Sequence, residues 1–275
     1  MAFKYSLAQL TCLNATPVEL AKMAAVAGYD SVSIRQIYMG LPNENRYEMI
    51  KDKGMLAEFK SVMTDTGITV GDVELARILE KTPIDEYEPV FELTAELGCK
   101  DILGSVWTND LTGAVETAAA VAERAEKYGL YFNLEYVPVS AIKSLSGMLD
   151  FIKRIDRPNV KLMVDVHHFH RAYDNPADLA AVPAEYFRMV HLCDVPKLPA
   201  YDRDEMTRIM REDRAYVGEG VADTANILNA MPAGLLYSIE LPNAARVAEV
   251  GYEGHAKCCL ETCKAFVEAN VTGRA

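Results

Sequence analysis

Residues 129–165 read GLYFNLEYVPVSAIKSLSGMLDFIKRIDRPNVKLMVD, and they hold one complete turn of a repeating pattern. Gly129 stops an Ala-rich helix, as a residue free to adopt left-handed backbone does. A short aromatic and β-branched run follows at 131–136 as a strand, an amphipathic stretch at 141–155 as a helix, and a second strand at 160–165. Two neighbouring strands joined by a crossover helix run parallel.

The pattern extends in both directions from there. Strands are expected at 5–10, 31–35, 68–75, 101–106, 131–136, 160–165, 187–191 and 235–240. Helices are expected at 16–27, 47–65, 84–97, 111–128, 141–155, 177–181, 204–214 and 222–230, with a final one at 245–269. Thr16-Pro17 supplies an N-cap followed by proline at the first helical position. Gly28, Gly67, Gly98 and Gly129 each fall where a helix gives way to a strand. Eight βα units in 275 residues match a closed (β/α)8 TIM barrel, an α/β fold. We read the chain as one domain over 1–275, with the last helix packed on the barrel. An open doubly wound sheet is the alternative, but no GxGxxG follows the first strand and no Walker A sequence occurs. Segments 35–46 and 194–220 read as long loops over one face, and in a barrel the βα loops build the active-site end.

The charge balance is 28 basic against 40 acidic residues, net −12, with no basic run. Such a surface repels phosphate backbones, which argues against nucleic acid and anionic membrane as partners. The stretch 202–214, DRDEMTRIMREDR, is mixed in sign and reads as a solvated helix. Six cysteines form no CxxC pair, no apolar run reaches the ~20 residues of a membrane span, and the start of the chain has no leader-like core. The expected setting is a reduced cytoplasm.

The chemistry concentrates at the ends of the last four expected strands. Each apolar run closes on one good metal-binding side chain: Glu135, Asp165, His191 and Glu240. Neighbouring parallel strands lie ~4.8 Å apart, so four successive ends can converge on one ion. Three carboxylates and an imidazole suit a single divalent Mn2+, Mg2+, Co2+ or Zn2+. Four of the five histidines, 167, 168, 170 and 191, follow two of these strands; His255 stands apart in the last helix, with a surface or core role.

On these motifs the chain resembles the xylose isomerase-like sugar phosphate isomerase/epimerase barrels. The resemblance rests on NLEYVP around Glu135, the D-x-x-H of Asp165 to His168, the H-x-x-D of His191 to Asp194, the Gly218-Glu-Gly220 turn, and SIELP around Glu240. It implies that Glu135, Asp165, His191 and Glu240 ligate one metal and that His168 contacts substrate. It also implies a paired role for Glu135 and Glu240, one removing a proton beside a metal-chelated carbonyl and the other returning it to an enediolate. An arginine commonly follows the seventh-strand histidine in that family; Lys197 and Arg203 are the loop candidates for it here.

The implied function is a metal-dependent isomerase or epimerase in carbohydrate metabolism, acting on a small sugar or cyclic polyol ketone. Relatives often form homo-oligomers. Further substrate-contact candidates are Arg35, Glu74, Trp107, Arg171 and Lys197. Glu74 could equally cap a helix, Trp107 pack at the rim, and Arg171 form a surface ion pair. His167 would have the opposite parity to His168 if the strand continued, and the D-x-x-H spacing favours His168. Two alternatives keep the barrel: a dehydratase or lyase of the 3-dehydroshikimate, inosose or 3-keto-glycoside type, and a non-catalytic metal-stabilised binding protein. A DNA-repair barrel of the endonuclease-IV type requires histidines from earlier strands, and every residue before His167 lacks one.

Overall fold

The computed structural model describes residues 3–40, 44–197 and 202–273. Its strands are β1 Lys4–Ala8, β2 Ser31–Arg35, β3 Thr69–Ile78, β4 Asp101–Val106, β5 Tyr131–Glu135, β6 Val160–Asp165, β7 Phe187–Leu192 and β8 Leu236–Ile239. They pair in chain order, all parallel, and β8 returns to β1, so the expected (β/α)8 barrel is the observed fold. The helices are α1 Pro17–Ala27, α2 Lys53–Thr66, α3 Ile84–Glu96, α4 Leu111–Lys127, α5 Leu145–Ile155, α6 Val166–Arg171, α7 Pro176–Ala180, α8 Arg203–Glu212, α9 Thr224–Asn229 and α10 Ala244–Asn270.

Local chemistry explains most boundaries. Thr16 and Glu19 form a capping box at the start of α1, with Pro17 in the first turn. Gly28 ends that helix at φ 93°, where its amide reaches back to the carbonyls of Ala24 and Ala25. Three expected boundaries shift for identifiable reasons. The helix expected from 47 begins at Lys53, because Asp52 caps it while the Gln36 side chain holds Tyr47 and Met49 in a turn. The helix expected from 141 begins at Leu145, capped by Ser144. The long C-terminal helix is broken at Gly251, whose backbone is non-helical.

The main core lies between strands and helices, where outward residues such as Val32, Ile102, Phe132, Leu162 and Val190 are fully buried. Inside the barrel, Leu75, Leu103, Met163 and Met189 form a separate small cluster. Two of these, Leu75 and Leu103, also line a cavity at the C-terminal mouth of the strands. Among the described residues, no helix is long and apolar enough to cross a membrane.

Candidate metal centre

Glu135 and Asp165 are the last residues of β5 and β6, His191 sits near the end of β7, and Glu240 directly follows β8. Asp165 pairs in register with His191, whereas Glu135 lies opposite Met163 and His191 opposite Ser238, so the stagger of the strands is bridged by the lengths of the two glutamate side chains. One ligand atom from each residue lies within 4.8 Å of all the others, and all four residues are buried. The His191 Nδ1 faces Glu240 Oε2 at 3.4 Å, and Glu135 Oε1 and Asp165 Oδ2 at 3.7 Å each.

The donor set fits a divalent ion. Glu135 Oε1 and both ring nitrogens of His191 are buried without a hydrogen-bond partner. Buried polar atoms are almost always paired, so unpartnered ones converging with three carboxylates fit a cation among them. Three carboxylates and one nitrogen are the ligands of a hard or borderline metal.

The charges show the same imbalance. Burial pushes the Glu135 carboxyl well above its ordinary 4.5, reinforced by Asp165 and Glu240 and opposed by His191. Burial also works against charge at Asp165, yet Arg214 and His168 hold it well below its ordinary range. Burial opposes ionisation of Glu240 too, but His191 and Arg214 bring it down to about 2. His191 is raised well above 6.5 despite burial, because Glu240, Asp165 and Glu135 surround it.

Arg214 is the residue that sequence reasoning missed. It was read as part of a solvated helix, and α8 does carry exposed charges such as Arg208 paired with Glu205. Arg214, however, lies beyond the end of α8 and is 1% exposed. Its Nη1 donates to Asp165 Oδ2 at 2.6 Å and to the Glu240 carbonyl at 3.0 Å; its Nη2 reaches Glu240 Oε2 at 2.9 Å. Neither Lys197 nor Arg203 takes that place, and both are exposed.

The H-x-x-D and Gly-Glu-Gly motifs explain how Arg214 arrives. Asp194 and Ala215 exchange both backbone hydrogen bonds, at 2.9 and 3.0 Å, folding the long loop back on β7. The Asp194 carboxylate accepts from the amides of Val195, Gly218 and Ala222 at 2.7, 3.0 and 3.0 Å. A Cβ at Gly220 would stand 2.2 Å from Asp194 Oδ1, so only glycine fits there. The adjacency of Arg214 to that Gly-Glu-Gly turn was the available signal.

His167 and His168 lie on the short helix α6 rather than on a continuing strand. The Asp165 carboxylate creates that helix, capping it through the amides of His167 and His168 at 2.6 and 3.2 Å. Both rings are buried, and His168 Nε2 stands 3.6 Å from Glu135 Oε1. Burial brings His168 down to about 4, so its ring is neutral at pH 7.

His168, Glu135, Glu240 and Arg214 line the cavity together with Arg35, Glu74 and Trp107. Glu74 lies inside β3, which runs on to Ile78, and it caps no helix. It accepts from Ser33 at 2.9 Å and Arg35 at 2.9 Å, while Arg35 also pairs with Glu44 at 3.2 Å. Trp107 donates its indole N–H to Ser105 Oγ at 2.8 Å. The structure does not bring Arg171 or Lys197 to this cavity: Arg171 is buried and donates to the Pro196 carbonyl at 3.0 Å. His255 is a core residue, fully buried between the Tyr216 hydroxyl at 3.0 Å and the Leu241 carbonyl at 2.8 Å.

Comparison with known proteins agrees with this geometry. The family model of the xylose isomerase-like TIM barrel matches residues 21–261. An inosose isomerase of Bacillus licheniformis is 26% identical over 151 residues, 51% of this chain and 52% of that protein. The chain thus spans about half the length of the inosose isomerases it matches. A 3-dehydroshikimate dehydratase of Pseudomonas aeruginosa is 28% identical over 236 residues, 81% of this chain and 35% of that protein. The crystal structure of IOLI protein with a binding zinc atom shares the fold, with a TM-score of 0.80 at 19% identity, over 98% of this chain and all of that one.

Proposed function

The chain belongs to the xylose isomerase-like TIM barrel family, and on that premise we propose that it is a divalent-metal-dependent isomerase or epimerase of a small sugar or cyclic polyol ketone. The observation that carries this reading is the convergence of four ligand atoms within 4.8 Å beneath a cavity. Glu135, Asp165, His191 and Glu240 would hold one Mn2+, Mg2+, Co2+ or Zn2+. When bound, the ion supplies Lewis-acid polarisation of a ketone and its neighbouring hydroxyl.

The chain's own groups supply the rest. Glu135 ends β5 and Glu240 follows β8, with the Asp165 and His191 strands between them, and that separation supports a reading in which the two carboxylates approach a substrate from different sides. One removes the proton next to the carbonyl, and the other returns a proton to the opposite face of the resulting enediolate. Neutral His168 hydrogen-bonds a substrate oxygen. Arg214 keeps Asp165 and Glu240 ionised and oriented, and Trp107 forms an apolar wall. The six free thiols suit a reducing, cytoplasmic setting.

A second reading has its own support. The 3-dehydroshikimate dehydratase aligns over more of this chain than the inosose isomerase does. The same proton abstraction ends in loss of water when a hydroxyl sits β to the carbonyl, and product analysis separates the outcomes. The test of the shared mechanism is Glu135→Gln and Glu240→Gln, made singly. Each should lower metal retention and abolish deuterium exchange from solvent into a bound keto-substrate. Unchanged metal content together with unchanged exchange would falsify the two-glutamate mechanism.

A further inference from the structure

The cavity has a charged feature at its outer side that the metal centre does not use. Arg211, at the end of α8, lines the cavity with Glu135, His168 and Glu240. Among the described residues its guanidinium makes no salt bridge or hydrogen bond, although it is half-buried. The segments 41–43 and 198–201 hold no acidic side chain that could serve it.

The other arginines of this region are committed. Arg208 pairs with Glu205 and Asp213, and Arg214 with Asp165 and Glu240. Arg35 is divided between Glu44 and Glu74, although its buried Nε lacks a partner. The charges that bear most on Arg211 are themselves positive: after burial, Arg35 and Arg77 are the groups that lower its pKa, with Glu212 and Glu44 weaker opposing influences. Arg77 is held by the Met39 carbonyl at 3.0 Å, not by an acid. Arg211 is therefore left without an acid of its own among the described residues.

The cavity walls mix apolar side chains, among them Met39, Leu75, Leu103 and Met210, with the polar Arg35, Glu74 and Ser105. Arg35 and Glu74 already bond each other, and Ser105 accepts from the Trp107 indole, so part of this polar capacity is committed within the protein. A guanidinium waiting in a low-dielectric wall is matched by a carboxylate or a phosphate, which it can bind through two parallel N–H bonds. Arg211 also lines an outer groove beside Asn14, Pro242 and Tyr252, so a bound anion could be reached from solvent.

We propose that Arg211 binds an anionic substituent, a carboxylate or a phosphate, carried by the keto-substrate whose carbonyl end lies over Glu135, Asp165, His191 and Glu240. The substrate class is thus an anionic hydroxy-ketone. This rests on the reading of the site as a metal centre acting on a ketone.

The test is calorimetric binding to the full chain, with metal content measured in the same samples. Two matched pairs serve as probes: 3-dehydroshikimate with its methyl ester, and fructose 6-phosphate with fructose. Wild-type protein should bind one acid about 10–100-fold more tightly than its neutral partner, the range expected for a charged hydrogen bond. Which pair shows the preference identifies carboxylate or phosphate. Arg211→Gln should erase the preference with metal stoichiometry unchanged, and Arg211→Lys should keep part of it. Equal binding of acid and neutral partner in wild type overturns the proposal, as does an Arg211→Gln variant that retains the preference. If the preference depends on Arg211 but the protein takes up no metal, the anion site stands and the metal reading fails. If metal binds and no probe does, the anion site is overturned while the metal centre stands.

Discussion

Adding a divalent ion to the metal-free protein should release protons, up to about two per ion. Of three buried carboxylates, Asp165 and Glu240 are held ionised by Arg214 and their imidazole neighbours, whereas Glu135 is raised well above 4.5, which favours its protonated form. His191 is raised well above 6.5, which favours the imidazolium and supplies the second proton. A ligating carboxylate and a ligating imidazole must both be deprotonated, so each gives up its proton on uptake. Apparent affinity should then rise about 100-fold per pH unit below the values of those two groups. Calorimetry of Mn2+ binding in two buffers of different ionisation enthalpy counts the protons directly. Glu135→Gln should reduce the count to about one. The same titrations bear on stability. Native Glu135 and His191 hold protons that the unfolded chain has lost, so metal-free stability should fall with rising pH, from 4.5 upward for Glu135 and from 6.5 upward for His191. Asp165 and Glu240 act oppositely, their contribution being lost only as pH falls towards their depressed values. Metal-saturated protein should lack the alkaline slope. Release of no protons, with identical pH profiles for metal-free and metal-saturated protein, refutes the charge balance described for this site.

Substitutions at two positions separate the roles of buried cations and imidazoles. Arg214→Ala should destabilise the metal-free protein by about 3–5 kcal/mol, because Asp165 and Glu240 lose their common counter-charge. Arg214→Lys should recover only part of this, since an ammonium cannot span both acids as a fork does; denaturant unfolding of the three proteins checks the order. His255→Ala should cost about 1–3 kcal/mol by stripping the Tyr216 hydroxyl and Leu241 carbonyl of a buried partner. Its metal stoichiometry should equal that of wild type, and a variant that loses metal contradicts the assignment of His255 to the core.

What could be read from the sequence was whatever local chemistry determines. β2, β4 and β6 occur at the expected residues, since each is a short run that follows a helix stop, and β2 and β6 also close on a charged residue. The four strand-end ligands were legible for the same reason: a lone polar residue at the close of an apolar run marks the mouth. Arg214 was not legible, because its burial depends on a loop folding back to pair Ala215 with Asp194. Glu44 went unnoticed as a partner of Arg35 for a similar reason, being supplied by a loop with no periodicity. Helix α6 was hidden by its composition, as VHHFHR continues the strand pattern until the Asp165 carboxylate is known to cap it. Arg171 follows His168 closely in the chain, yet its guanidinium turns to the Pro196 carbonyl, a direction that sequence spacing does not encode.

The paired backbone bonds between Asp194 and Ala215 make a closed neck at the end of β7. The cost of closing such a loop grows only slowly with its length. Length changes earlier in the loop therefore leave Arg214 anchored, because it adjoins Ala215 and its amide donates to the Pro242 carbonyl at 2.9 Å. Arg211, three residues earlier at the end of α8, has no side-chain tie among the described residues. The arginine that holds the ligands and the arginine proposed to read the substrate's charge are thus carried by one closed loop, the first fixed at its base and the second farther along it.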